Sequence, residues 1–314
     1  MENGRLRMAT SRKFVLNSLF SILATLVAGT VLAADPIGQG AGKSGFADVA
    51  GAKLYYEECG SGPAIVLLHD GLLHSASWDE VWQPLAARYH VIRYDRRGYG
   101  RSDLATSSFS PAEDLASLLR HLKVERAVLV GSSSGGALAI DFAVQHPEMT
   151  DGLFLIGPVL HGLEFSAEFR ERAKRNNEPM ERGDVKAWAR NWSRDKFLIA
   201  GTNEKARLKI YEQVVANVEK LKSYDGALEE KLSPPASKRL GEIKTPTLIL
   251  VGEGDIADVN SHGKIINAGI SGSERIVVKD AGHLIQVEKP DEVVGRLEKF
   301  AERCRHEVRN SPAL

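Results

Sequence analysis

Short apolar runs alternate with amphipathic stretches along most of this chain. Residues 53–57, 64–69, 90–95, 127–131, 153–157, 247–251 and 275–279 read as strands, most of them rich in Val, Ile and Leu and the first in Tyr. A further edge strand is expected around 46–49. Several of these runs are apolar without a polar alternate, as strands covered on both faces are. Between them the spacing predicts helices over 78–88, 111–122, 134–146 and 290–307, the second opened by Ser110 as cap and Pro111 at its first position. Strands alternating with helices imply an α/β class, a mostly parallel sheet with helices on both faces. The alternation fails between Pro158 and Pro235. There, 164–174, 185–191 and 203–222 read as helices with no strand run among them, and Pro234-Pro235 makes a stiff return. No internal repeat is visible.

Composition narrows the picture. The chain has 314 residues, 43% hydrophobic and 26% charged, a globular profile whose length suits one α/β domain with an insertion. Lys plus Arg and Asp plus Glu balance at 41 each. A net charge of zero gives no reason to expect nucleic acid or an anionic membrane surface as a partner. The first 34 residues differ from the rest: Arg5, Arg7, Arg12 and Lys13 precede an almost uncharged apolar stretch over 14–32, and Ala33-Ala34 supplies small residues at a cleavage point. These are the three parts of a secretory signal peptide. A retained anchor is the alternative, against which the polar Asn17, Ser18, Ser21, Thr25 and Thr30 weigh. The protein is therefore expected to be secreted or periplasmic, meeting the membrane only during export. Export implies an oxidising compartment, but Cys59 and Cys304 fall in distant elements, so a disulfide is not favoured. The glycine-rich 38–44 segment has no strand before it and reads as a spacer, part of a linker over 35–45.

The most specific chemistry lies at Gly131, Ser133 and Gly135, a G-x-S-x-G turn between an apolar strand and a helix. Such a turn forces the serine into a strained conformation and lifts its hydroxyl above the sheet. The 247–251 strand then ends in Gly252-Glu-Gly-Asp255, and the 275–279 strand is followed by Asp280-Ala-Gly-His283. Serine, acid, histidine in that order, each just past a strand end, place Ser133 as nucleophile, Asp255 as orienting acid and His283 as base. Asp258, three residues on, is the second candidate for the acid. His74 and His161 are competing histidines near the same edge.

With these motifs, Val66-Leu-Leu-His-Asp-Gly71 followed by Trp78, and Tyr94-Asp-Arg-Arg-Gly-Tyr-Gly-Arg-Ser102, the chain resembles the α/β-hydrolases over roughly 46–304. The resemblance implies an eight-stranded, mostly parallel sheet with helices on both faces, the core from 46–157 and 236–306, a helical cap from 158–235 over the site, and a tail from 307–314. It implies oxyanion donors from the backbone of Ser134 and Gly71. Asp70 stands where relatives usually carry glycine, and its carboxylate is expected to point away. The 95–102 loop is read as a buttress for the turn, without catalysis. From the cap, Phe165, Phe169, Met180, Trp188, Trp192, Phe197 and Leu198 are available, a few of them to shape a pocket; His74, His161, Trp188 and Trp192 are the candidate pocket residues. The charged 170–175 stretch is read as a solvated helix face. Serine at 133 disfavours dehalogenase and epoxide hydrolase chemistry, which uses aspartate there, and the His-Gly-Gly-Pro loop of proline iminopeptidases is missing. The implied function is hydrolysis of a small, largely uncharged ester or lactone, with carbon–carbon bond hydrolysis, peroxidase-type side activity or a ligand-binding role with vestigial activity as alternatives. No metal motif occurs and no cofactor is implied.

Overall fold

The computed structural model describes residues 42–201 and 203–310. The expected signal segment, most of the linker and the last four residues lie outside them. Eight strands form one sheet: β1 (Lys43–Val49), β2 (Ala52–Cys59), β3 (Ala64–Leu68), β4 (His90–Tyr94), β5 (Ala127–Ser132), β6 (Thr150–Ile156), β7 (Thr247–Gly252) and β8 (Glu274–Val278). The helices are α1 (Asp79–Leu85), α2 (Pro111–His121), α3 (Ser134–Gln145), α4 (Ala167–Glu181), α5 (Val185–Ser193), α6 (Glu204–Ala216), α7 (Val218–Ser223), α8 (Ala257–Gly269), α9 (Ile285–Glu288) and α10 (Pro290–Asn310).

The strand order is β1-β2-β4-β3-β5-β6-β7-β8. β2 runs antiparallel to both of its neighbours, and every pairing from β4 to β8 is parallel. Side chains alternate between the faces, as a period of two requires. Val66, Leu68 and Leu129 pack with residues of α2, α3 and α8, while Ile65, Leu67, Val128 and Val130 pack with α1, α9 and α10. A one-residue slip of β5 would exchange these sets, so two buried faces fix its register.

This order positions the site. The chain leaves β3 towards β4 on one side and returns to β5 on the other, so loops on opposite sides open a crevice at the carboxyl ends of β3 and β5. The loop carrying Asp70 and Gly71 follows β3, and the serine turn follows β5. Helices α4 to α7, between β6 and β7, form the insertion; Trp188, Ile210 and Val214 pack with Leu73, Leu284 and Val287 from the loops at this edge.

Several boundaries differ from expectation. β1 starts at Lys43, inside the segment read as linker, because its residues pair with β2 from Lys43↔Glu58 to Val49↔Ala52. The expected 78–88 helix is a 3-10 turn over Ser75–Trp78 followed by a shorter α1. The first cap helix starts later and ends later than its apolar pattern suggests, since Ser166 Oγ accepts the Phe169 N–H and fixes the start. The 203–222 helix divides at Asn217. α10 continues into the expected tail. α8 and α9 were not anticipated. Cys59 and Cys304 are both buried and free. Among the described residues no helix is long and apolar enough to cross a membrane.

Candidate active site

The chain passes from β5 into α3 through Ser133 at φ 53° and ψ −116°, a region that costs a side-chain-bearing residue strain. Tight packing holds it there. A Cβ on Gly131 would lie 2.4 Å from the Gly135 carbonyl oxygen, and one on Gly135 would lie 2.3 Å from that of Leu68. The Ser133 N–H donates to the Ile156 carbonyl at 2.9 Å, and its own carbonyl accepts the Gly136 N–H at 2.9 Å. Ser134 is the first residue of α3, so its N–H has no partner within the helix and is available to an anion above it. Gly71 lies against the Ser134 side chain.

His283 follows β8 and Asp255 follows β7. His283 Nδ1 lies 2.8 Å from Asp255 Oδ2, while Asp255 Oδ1 accepts the Ile256 N–H at 2.7 Å. The carboxylate fixes the tautomer with Nδ1 protonated, leaving Nε2 to act as base. Asp258 does otherwise: it accepts the Ser166 N–H at 2.6 Å and the Ser166 hydroxyl at 2.7 Å, tying α8 to the start of α4. The geometry thus selects Asp255 over Asp258 as the partner of His283.

Ser133, Asp255 and His283 line one cavity of about 570 Å³, together with Asp70, Gly71, Tyr99, Val159 and the insertion. That volume suits a small organic molecule. No hydrogen bond joins Ser133 to His283 among the described contacts; such contacts commonly tighten only with substrate bound. From α4 and α5, Phe169, Met180, Trp188 and Trp192 face the cavity, with Leu198 beyond them. Asn177 Oδ1 accepts both indole N–H groups, Trp188 and Trp192, at 2.9 Å each, which fixes two aromatic walls with one amide. Phe165 and Phe197 do not line it; Phe165 stacks on Phe169 with ring centroids 3.9 Å apart.

Three expectations are corrected. His74 is not a pocket residue: it caps the 3-10 turn, accepting the Ala76 N–H, with Nδ1 3.7 Å from Asp95. Nor is His161, which does not line the cavity and whose Nδ1 is 2.6 Å from Asp141 on α3. The 170–175 stretch is not wholly solvated, for Arg172 is 5% exposed and lines the cavity. Asp70 lies beside the cavity with its carboxylate enclosed. Its Oδ1 accepts the Leu72 and Leu73 N–H groups at 2.7 and 3.0 Å, a local turn that holds the residue in the cavity wall, while Oδ2 is buried without a partner.

These charges act on the base. Burial, the largest single effect, pushes the His283 pKa down, but the charge and hydrogen bond of Asp255 and the charge of Asp70 outweigh it, so the pKa is raised overall. Arg172 opposes this from the cap side. Behind the oxyanion loop, His69 is driven well below the ordinary histidine value by burial and by Arg96. It stays neutral, accepting the Arg96 N–H at Nε2 (3.0 Å) and donating from Nδ1 to the Asp70 carbonyl (2.7 Å). Arg96 Nη2 donates to the Asp70 carbonyl at 3.0 Å and to Ser134 Oγ at 2.9 Å, so one guanidinium braces both loops that supply oxyanion donors. Sequence reading placed the 95–102 loop as a buttress without identifying Arg96 as the group that performs it. Arg172 could have been found: Phe169, Arg172 and Met180 fall on one face of α4, at positions i, i+3 and i+11.

The chemistry available is nucleophilic attack by a serine hydroxyl, with a carboxylate-oriented imidazole to move the proton and backbone N–H groups beside it. Among the described residues no cluster of His, Cys, Asp or Glu is arranged to hold a metal ion.

Comparison with known proteins agrees. Residues 65–296 match the Alpha/beta hydrolase family. The chain is 30% identical over 267 residues to 2-hydroxy-6-oxo-6-phenylhexa-2,4-dienoate hydrolase of Comamonas testosteroni, covering 78% of this chain and 90% of that protein. Among solved structures it resembles Est816, an N-acyl homoserine lactone degrading enzyme, with TM-score 0.67 and 25% identity over 82% of this chain and all of that one. A thermophilic esterase from Thermogutta terrifontis shares the fold, with TM-score 0.68 and 24% identity over 83% of this chain and 99% of that one. A strained serine turn, an aspartate-held histidine and this sheet order, together with these matches, establish that the chain belongs to the alpha/beta hydrolase family.

Proposed function

We propose that the protein is an exported serine hydrolase that cleaves a carboxylic ester or lactone of a small substrate through an acyl-enzyme. The observation that carries this reading is the 2.8 Å contact between His283 Nδ1 and Asp255 Oδ2, in the wall of the cavity that also holds the strained Ser133. Ser133 Oγ attacks the ester carbonyl while His283 Nε2 takes its proton. The Ser134 and Gly71 N–H groups stabilise the negative oxygen of the tetrahedral intermediate. His283 then gives the proton to the departing alcohol, and water, activated by the same imidazole, releases the acid. Asp255 keeps the ring oriented and stabilises its charged form. Export rests on the basic, apolar and small-residue order of residues 1–34.

A fluorophosphonate probe tests the reading. Wild-type protein takes up the label and Ser133→Ala does not; an unlabelled wild type, or equal labelling of both, defeats it. Turnover of p-nitrophenyl esters separates an enzyme from a ligand-binding member of the fold, which would stop near one event per molecule. Carbon–carbon bond hydrolysis is a second reading, favoured by the 30% identical dienoate hydrolase. A higher kcat/KM on that relative's dienoate than on any ester would select it. N-terminal sequencing of the protein from the culture medium or periplasm, giving a start near Ala34, tests export.

A further inference from the structure

Arg172 is the one cation that α4 buries in the cavity wall, and its partners account for only part of its donors. The residue is 5% exposed. Its Nε donates to Asp195 Oδ2 at 2.8 Å. Asp195 is fully committed: the same oxygen accepts the Asn176 amide at 2.6 Å, and Oδ1 accepts the Phe197 N–H at 2.8 Å. Three aromatic rings surround the guanidinium, with centroids 5.9 Å (Phe169), 5.4 Å (Trp192) and 5.3 Å (Phe197) from Cζ. The pair with Asp195 fixes the Nε edge, while the two terminal nitrogens make no described hydrogen bond and are not among the fully enclosed unpartnered atoms. They belong to a residue that lines the chamber of Ser133 and His283.

A planar guanidinium with a free pair of N–H donors matches a carboxylate in two parallel hydrogen bonds. Apolar walls strengthen such a contact by excluding water. Asp70 and Asp255, on the loops after β3 and β7, disfavour an anion at the sheet end, while Glu181 of α4 and Lys222 of α7 line the cavity with opposite charges, so it is the free N–H pair of Arg172 that distinguishes a carboxylate site there. We propose that Arg172 forms an anion subsite at the cap end of the cavity and that the enzyme prefers substrates carrying a carboxylate remote from the bond it cleaves. This deepens the serine-hydrolase reading and rests on it for the identity of the cleaved bond, but not for the binding itself. It also departs from the expectation of a largely uncharged substrate.

Binding and turnover give separate tests. In Ser133→Ala, which binds without cleaving, Trp188 and Trp192 in the cavity wall report ligands by fluorescence. Benzoate should bind roughly tenfold or more tightly than benzamide, and Arg172→Gln in the same background should remove the difference. Arg172→Lys, which keeps the charge but not the paired donors, should retain part of it. Equal affinity for benzoate and benzamide with Arg172 intact overturns the proposal, whether or not Arg172→Gln folds. For turnover, the ratio of kcat/KM for mono-p-nitrophenyl adipate over p-nitrophenyl hexanoate should exceed one. It should fall about tenfold in Arg172→Gln, mainly through KM, and hold in Arg170→Gln, whose residue is exposed on the same helix. A ratio unmoved by Arg172→Gln overturns the proposal. Failure of Ser133 to take the fluorophosphonate would defeat the hydrolase reading and leave the benzoate measurement standing.

Discussion

At the scale of the residue, the departure at Asp70 has the clearest consequence. Its carboxylate is enclosed beside the cavity, with Oδ2 unpartnered, and its charge helps to raise the His283 pKa. His283 must be neutral to take a proton from Ser133, so a raised pKa moves the acid limb of kcat/KM upward in pH. Asp70→Asn removes one of the raising charges while its amide oxygen can still accept the Leu72 and Leu73 N–H groups. The limb should therefore shift to lower pH, and the pH profile of p-nitrophenyl ester hydrolysis measures it; a shift upward, or none, refutes the assigned influence. At neutral pH the variant should not lose oxyanion stabilisation, because it removes a like charge from beside the developing one. The sequence made the three triad candidates legible because each follows an apolar strand, a local pattern. It did not show what holds the Asp70 carboxylate, because that depends on two N–H groups that only the folded loop brings to Oδ1.

At the scale of the element, long and strongly patterned segments were readable, and those that borrow stability from their surroundings were not. The start of α2 was plain because Ser110 and Pro111 specify it locally. α8 was hidden by Asn260, Gly263, Asn267 and Gly269, weak helix formers that hold the helical form through burial of Val259 and Ile266 against the sheet. The same helix anchors the cap: both Asp258 oxygens bind Ser166, whose hydroxyl in turn caps α4. Asp258→Ala removes both hydrogen bonds to Ser166, and because Ser166 is exposed water can replace the acceptor, so the loss of local stability is about 1 kcal/mol. Amide exchange in α4 should quicken accordingly while exchange in β5 stays at its wild-type rate, and equal protection of α4 in both proteins would contradict the anchor. Because Phe169 and Arg172 ride on α4, KM should rise more than kcat falls.

At the scale of the whole molecule, the fold divides the labour. The sheet fixes Ser133, Asp255 and His283 at the carboxyl ends of three strands, and the insertion closes a chamber of limited size above them. The middle of the sheet could be read from the chain because both faces of β3 to β7 are buried, which writes mainly apolar runs for those strands; the chamber could not, since it depends on which side of each cap helix faces inward. Its walls, Phe169, Met180, Trp188, Trp192 and Leu198, are mainly apolar, and the Asn177 amide holds both indoles in place. Each methylene of an acyl chain buried against them is worth about 0.8 kcal/mol, or roughly fourfold in kcat/KM. Across p-nitrophenyl esters of rising length, kcat/KM should therefore climb by about that factor per carbon while the chamber of about 570 Å³ fills, then fall once the chain must displace a wall. Trp192→Ala should move the maximum to longer chains by opening one wall, and lower kcat/KM for the shortest esters by removing their contact. A profile without a maximum, or a maximum unmoved in Trp192→Ala, would mean that the acyl group lies outside this chamber.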